Sequence, residues 1–175
     1  MLNNFDELKK SIREINDFPI PGVLFRDITT LLKDGDLLKK TINKVAEIAN
    51  EFHFDAILGP ESRGFIFGMP LAFILGKGFV PIRKAGKLPA ETCSKEYDLE
   101  YGTAKIEIHK DAVTKGMKFL LVDDLLATGG TAKASAELIK EMGGEITAHL
   151  FFIELSELGG RKTLENQTVR SVLVY

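Results

Sequence analysis

The chain has 175 residues, 45% of them hydrophobic, with 23 basic and 25 acidic side chains and a formal net charge of -2. That length supplies one well-buried core and is short for two domains of ordinary size, so a single domain over residues 1–175 is expected. The charge excludes a global positive field that would draw in nucleic acid, and any anion must therefore be gripped locally.

The single cysteine, Cys93, cannot close an intramolecular disulfide or build a thiolate zinc site, which points to a reducing cytoplasm. The stretch MLNNFDELKK lacks the apolar run of a signal peptide, and the apolar residues 65–75 are few and interrupted by Gly68 and Pro70. Neither export nor membrane insertion is expected.

Phe5, Leu8, Ile12 and Ile15 recur at helical spacing after Asn3 and Asn4, predicting a first helix that stops at the stiff segment FPIPG. Asp36 precedes Leu37, Leu38, Ile42, Val45 and Ile48, a second amphipathic helix ending near Asn50. From there short apolar runs alternate with helical segments: 56–58 then 65–75, 79–82, and 119–122 then 132–142. Runs followed by crossover helices read as parallel strands. Gly143 and Gly144 end the last helix and lead into the run 146–155, and 171–174 forms a final strand. The fold class is α/β, a parallel sheet of about five strands flanked by helices. Between 82 and 119 the rhythm breaks. Ala104, Ile106 and Ile108 alternate with Lys105, Glu107 and His109, a half-buried antiparallel strand. The polar stretch 84–102 before it has no apolar period and is a long loop or hairpin of the kind that serves as a lid.

The sequence FLLVDDLLATGGTAKASAELI places a hydrophobic strand, two carboxylates, a small-residue turn and an amphipathic helix in succession. Gly129 and Gly130 let backbone approach an oxygen-rich ligand, the unpaired amides of the helix start point at it, and Thr128 and Thr131 add hydroxyl donors. A phosphate monoester suits this turn. A lone Thr-Gly-Gly-Thr reads equally well as an ordinary turn with Thr131 as cap. Asp123 and Asp124 change the weighing, because adjacent carboxylates repel phosphate and raise each other's pKa, and so require ribose hydroxyls, a hydrated magnesium ion or a cationic reaction centre as partner.

VDDLLATGGT resembles the phosphoribosyl-diphosphate motif of the type I phosphoribosyltransferase family, and its LLATGGT form is similar to the members that act on adenine. FPIPGVLFRDIT, GPESRGFIFG, PIRKAGKLPAET, YDLEYG and IEIH follow that family's order, so the resemblance spans residues 18–155. It implies that Asp123 and Asp124 meet the ribose hydroxyls and that Ala127, Thr128, Gly129, Gly130 and Thr131 bind the 5′-phosphate. Arg63 would hold the diphosphate, helped by Lys87 and by Arg83 or Lys84. Leu24, Phe25 and Arg26 would frame the base, with Phe25 and Leu125 on its two faces, while Glu100 meets the imidazole side of the purine with Tyr101 beside it. The resemblance further implies formation of AMP and diphosphate from adenine and 5-phosphoribosyl 1-diphosphate, with a magnesium ion (Mg2+) riding on substrate oxygens rather than in an all-protein cage. It also implies a homodimer with Arg83 reaching across, an amino-terminal hood over residues 1–34 and a mobile antiparallel lid over 84–102.

Taken alone, Arg63 serves equally as a surface ion-pair residue, Phe25 as core, and Lys84 and Lys87 as solvated side chains. His53, His109 and His149 share no spacing of a metal site or triad. Thr30, where the family often has proline, and Cys93 in the lid depart from the pattern without touching an implied ligand contact. Two rival readings are a related enzyme for another purine base, and a regulator that senses phosphoribosyl diphosphate while binding nucleic acid. The second needs a basic face that a net charge of -2 does not suggest.

Overall fold

Asp6 and Glu7 in the first turn and Lys9 and Lys10 in the last match the helix dipole of α1, Asn4–Ser11, whose Leu8 is buried. The computed structural model describes residues 4–98 and 102–175, and its backbone falls into two compact units, Met1–Lys44 and Val45–Tyr175.

In the first unit the helix is shorter than its periodicity predicts. Ile15 lies instead in β1, Arg13–Ile15, which pairs antiparallel with β2, Phe25–Asp27, so that Ile15 stands opposite Phe25. Arg13 donates to the Asp27 carboxylate, Nε to Oδ2 at 3.0 Å, and the Thr29 amide donates to Asp27 Oδ1 at 2.9 Å. This cross-strand pair wins over continuation of the helix. The same hydrogen bonds, Arg13's first, hold the Asp27 pKa down at about 2. In α2, Thr29–Leu32, Thr30 donates its hydroxyl to the Ser11 carbonyl at 2.6 Å, a bond that proline could not make. Helix α3, Gly35–Ala49, starts on Asp34, whose Oδ1 accepts from the Asp36 and Leu37 amides at 3.0 and 3.1 Å. The capping carboxylate is thus Asp34, and Asp36 lies in the first turn.

The second unit runs through β3 (Ala56–Pro60), α4 (Gly64–Leu75), β4 (Gly78–Lys84), β5 (Thr92–Asp98), β6 (Thr103–His109), β7 (Lys118–Leu126), α5 (Gly130–Glu141), β8 (Glu145–Glu154), α6 (Gly160–Thr163) and β9 (Val169–Val174). These strands form one sheet in the order β5, β6, β4, β3, β7, β8, β9. The run from β4 through β3, β7 and β8 to β9 is parallel throughout, the five strands expected. β5 and β6 add an antiparallel hairpin at one edge. Of the alternatives open for the polar stretch, the hairpin is what forms: β5 pairs with β6 from Thr92 opposite His109 to Asp98 opposite Thr103.

Every residue of β3 is buried, which is why AILGP reads as a continuous run and not an alternation. Phe67 of α4 stacks on Phe152 of β8 with ring centroids 5.1 Å apart. Gly59 and Gly68 make room for the Phe79 ring, since a Cβ at either would sit 2.6 Å from it. Among the described residues no helix is long and apolar enough to cross a membrane. From β3 the chain crosses to β4 on one side, and from β7 to β8 on the other. The carboxyl ends of β3 and β7 therefore flank a crevice at which the connections diverge, the place where open α/β sheets bind ligands.

Candidate active site

Both loops at that crevice feed directly into helices. After β3 the chain passes Glu61 and Ser62, joined by a cis peptide, and Arg63, which caps α4. After β7 it passes Ala127 and Thr128 to Gly129, which caps α5. The first-turn amides of a helix have no partner within its regular ladder, and at α4 those of Phe65 and Ile66 turn back to the Ser62 and Arg63 carbonyls at 3.2 and 3.1 Å, so what the two helix starts share at the crevice is their positive dipole ends. The cleft has a volume of about 400 Å³ and is lined by Pro60, Glu61, Ser62, Arg63, Lys84, Asp123, Asp124, Leu125, Ala127 and Thr131. A smaller pocket of about 100 Å³ reaches Thr128, Gly129 and Gly130.

Gly129 has φ of +84°, a backbone conformation that side chains disfavour, and a Cβ there would lie 2.9 Å from the Gly160 carbonyl oxygen. Besides the approach of a ligand oxygen expected there, the turn itself and the chain packed behind it require glycine at this position. Gly64 is constrained likewise: a Cβ would stand 2.9 Å from Val122 O and 3.0 Å from Asp123 Oδ1, so the start of α4 lies hard against the acid pair.

The acid pair is the electrostatic centre. Asp123 Oδ1 accepts from the Asp124 amide at 2.8 Å, and Arg63 Nε stands 3.0 Å from Asp124 Oδ2. Burial, followed by the neighbouring Asp124 charge, pushes the Asp123 pKa well above the usual carboxylate range. Burial raises Asp124 as well, against the pull of the Arg63 guanidinium. A pair so placed takes up a cation or donates hydrogen bonds from its protonated form. Among the described residues no cluster of three or more His, Cys, Asp or Glu could hold a metal ion. The chemistry of this donor set, two carboxylates at the mouth of an anion cradle, fits a hydrated cation brought in on substrate oxygens.

Arg63, Lys84, Asp123, Asp124, Leu125, Ala127 and Thr131 thus share the main cleft. Arg83 does not line it: its Nε donates to Glu61 Oε2 at 2.9 Å and its Nη1 to the Lys87 carbonyl at 3.0 Å, and the Lys87 side chain is exposed. Leu24, Phe25 and Arg26 belong to the first unit, where Leu24 is exposed, Phe25 packs edge-on against Phe18 at 5.0 Å, and Arg26 pairs with Glu14. Glu100 and Tyr101 lie outside the described residues. His149 is a core residue held on Gln167, and burial lowers its pKa to about 4, so it is neutral at physiological pH.

Three contacts went unforeseen. Glu61 accepts from both Arg83 and the Lys84 amide. The Tyr97 hydroxyl of β5 meets Thr131 Oγ1 at 2.9 Å. Gly160 backs the cradle. The first two stand inside GPESRGFIFG and YDLEYG, but nothing in their residue types announces the contact.

A model of the phosphoribosyl transferase domain matches residues 28–170. Adenine phosphoribosyltransferase of Pseudothermotoga lettingae is 54% identical over 97% of this chain and 99% of its own. The enzyme of the same name from Agathobacter rectalis is 55% identical over 96% and 97%. The chain belongs to the adenine phosphoribosyltransferase family. Solved structures agree with that membership. The family member from Thermoanaerobacter pseudethanolicus superimposes with a TM-score of 0.95 at 51% identity, covering 98% of this chain and 99% of that one. The Saccharomyces cerevisiae adenine phosphoribosyltransferase, complexed with adenine and an imino-altritol bisphosphate, superimposes with a TM-score of 0.91 at 40% identity, over 99% and 100%.

Proposed function

We propose that this protein transfers the 5-phosphoribosyl group of 5-phosphoribosyl 1-diphosphate to adenine, giving AMP and diphosphate, a purine salvage reaction. The observation that carries this reading is the acid pair Asp123–Asp124 at the crevice, set between the Arg63 loop and the glycine turn that opens α5.

In the proposed reaction the bond between the anomeric carbon and the diphosphate oxygen breaks, a purine ring nitrogen forms the new bond at that carbon, and the nitrogen's proton is lost. Residues 127–131 hold the 5′-phosphate through backbone amides and the Thr128 and Thr131 hydroxyls. Asp123 and Asp124 accept from the ribose hydroxyls and stabilise positive charge as it develops on the ribose. Arg63, with Lys84, takes the departing diphosphate, so Arg63 must leave Asp124 on binding. Magnesium bound to the substrate would add charge neutralisation on the diphosphate. The resemblance assigns the base to Leu24, Phe25, Arg26 and Leu125, and its proton to Glu100 with Tyr101 beside it. Lys87 and Arg83 are assigned to the diphosphate on the same ground.

A homodimer is supported by α4, where Met69 (50%), Phe73 (87%) and Ile74 (51%) are exposed large apolar side chains. A cytoplasmic location is supported by the lone free thiol of Cys93.

Diphosphate release measured over a panel of bases tests the assignment. Adenine should exceed hypoxanthine by about 10⁴-fold in kcat/KM, because hypoxanthine reverses the donor and acceptor pattern at the ring edge and leaves buried groups unpaired. Comparable turnover of the two would make the protein a broader purine enzyme.

A further inference from the structure

The cradle that takes the 5′-phosphate has an outer face, and that face is built with care. Gly160, the first residue of α6, lies so close beneath the turn that a Cβ there would run into the Ala127 carbonyl oxygen and stand 2.7 Å from Leu126 Cδ1. In return, a Cβ at Gly129 would meet Gly160 O at 2.9 Å and Thr163 Cβ at 3.1 Å. The turn 127–131 is thus sandwiched, ligand cleft on one side and α6 on the other.

What fixes α6 is the residue next to Gly160. Arg161 grips Glu154 with both arms, Nε to Oε1 at 2.7 Å and Nη2 to Oε2 at 2.8 Å, and its Nη1 donates to the Val169 carbonyl at 3.2 Å. Ser171 Oγ donates to Glu154 Oε2 at 2.6 Å. Glu154 ends β8 directly beside Leu126, its register partner at the end of β7, and its side chain is only 5% exposed. Burial works to raise its pKa, but the hydrogen bonds from Arg161 and Ser171 overcome it and the carboxyl stays below its usual value. A bidentate guanidinium on a buried, ionised carboxylate is a rigid joint. It ties the end of the strand next to the acid pair to the helix that backs the phosphate turn.

We infer that Glu154 and Arg161 are positioning residues for the reaction: they touch no substrate, but through Gly160 they set the shape of the phosphate cradle and hence affinity for the ribose 5-phosphate end of the substrate. The inference rests on the cradle assignment proposed above. Small misplacements of binding groups carry large effects, on the order of 10²-fold for an ångström. A clamp of this kind should therefore act on one substrate and not the other.

Three variants test it. Arg161→Met removes the joint, Arg161→Lys keeps the charge but loses the planar fork, and Gly160→Ala presses on Ala127 without touching the ion pair. Each is first checked for a cooperative thermal transition and native circular dichroism. Calorimetric titration with ribose 5-phosphate, together with KM for both substrates, is the readout. Arg161→Met and Gly160→Ala should weaken ribose 5-phosphate and raise KM for phosphoribosyl diphosphate by ~10-fold or more, with KM for adenine within about twofold; Arg161→Lys should fall between them and the parent protein. Folded Gly160→Ala and Arg161→Met proteins that bind ribose 5-phosphate like the parent, or lose affinity for both substrates alike, would overturn the inference and leave a purely structural joint. Failure of the parent protein itself to bind ribose 5-phosphate would instead overturn the cradle assignment.

Discussion

Asp123 carries the sharpest conflict between stability and activity at the level of single residues. Burial raises its pKa above the ordinary carboxylate value of 3.8, so at neutral pH the folded state bears a penalty that the unfolded chain does not. For an acid shifted upward, stability is fullest below the unfolded pKa and falls as pH rises through the folded one. Asp123→Asn should accordingly raise Tm at neutral pH, with about 2–4 °C for each kcal/mol relieved in a chain of this size. The gain should vanish near pH ~3, below the unfolded pKa, where the parent carboxyl is protonated in both states. The same substitution should lower turnover by roughly 10²-fold or more, since a neutral amide cannot offset positive charge on the ribose. Thermal unfolding across pH, paired with initial rates, measures both. A lower Tm at neutral pH would mean that the charge is needed for folding through Arg63. The conflict was legible in the sequence as two adjacent acids before a glycine turn. Its neighbour Arg63 was legible as an ion-pair residue or as a diphosphate ligand, but not its partner, because the 3.0 Å pair with Asp124 depends on β3 lying beside β7.

At the level of elements, the parallel strands were readable because burial writes β3, β7 and β8 as long apolar runs and leaves shorter ones in β4 and β9. β5 was not, since TCSKEYD belongs to a partly exposed edge strand that contributes no clear period. β1 and β2 escaped for a related reason: strands of three residues are too short to show alternation, and the 3.6-residue pattern of Ile12 and Ile15 overlaps β1. The β5–β6 hairpin is held to α5 by Lys95, which pairs with Glu137 at 3.1 Å and Glu141 at 2.6 Å, and by Tyr97 on Thr131. The surface ion pairs are worth little. The Tyr97 bond matters more, because it occupies the Thr131 hydroxyl that we propose as a donor to the 5′-phosphate. Tyr97→Phe should free Thr131 and lower KM for phosphoribosyl diphosphate by about two- to tenfold, the equivalent of one neutral hydrogen bond. Steady-state kinetics measures this; a raised KM would show that the tyrosine helps to hold phosphate instead of competing with it.

For the whole molecule, α4 predicts self-association. Phe73 is 87% exposed on a helix that is apolar on every side, and a charge placed there should not disturb the core. If the proposed homodimer forms through α4, the parent should sediment as a dimer and Phe73→Glu toward monomer with little change in Tm of the separated chain; an unchanged dimer would put the interface elsewhere, and a monomeric parent would overturn the proposal. The pairing of β3 with β7 has a consequence in time. Arg63 and Asp124 are separated by about sixty residues, and parallel strands that distant find each other late, after the loop between them has closed. Before that event neither the cleft nor the Arg63–Asp124 pair at its mouth exists. Substrate can bind only the finished protein, so by mass action phosphoribosyl diphosphate or AMP at a hundred times its Kd would favour the native state by about 2.7 kcal/mol. A cell rich in these ligands would hold more of this chain folded, and its supply of substrate would in part determine its supply of enzyme.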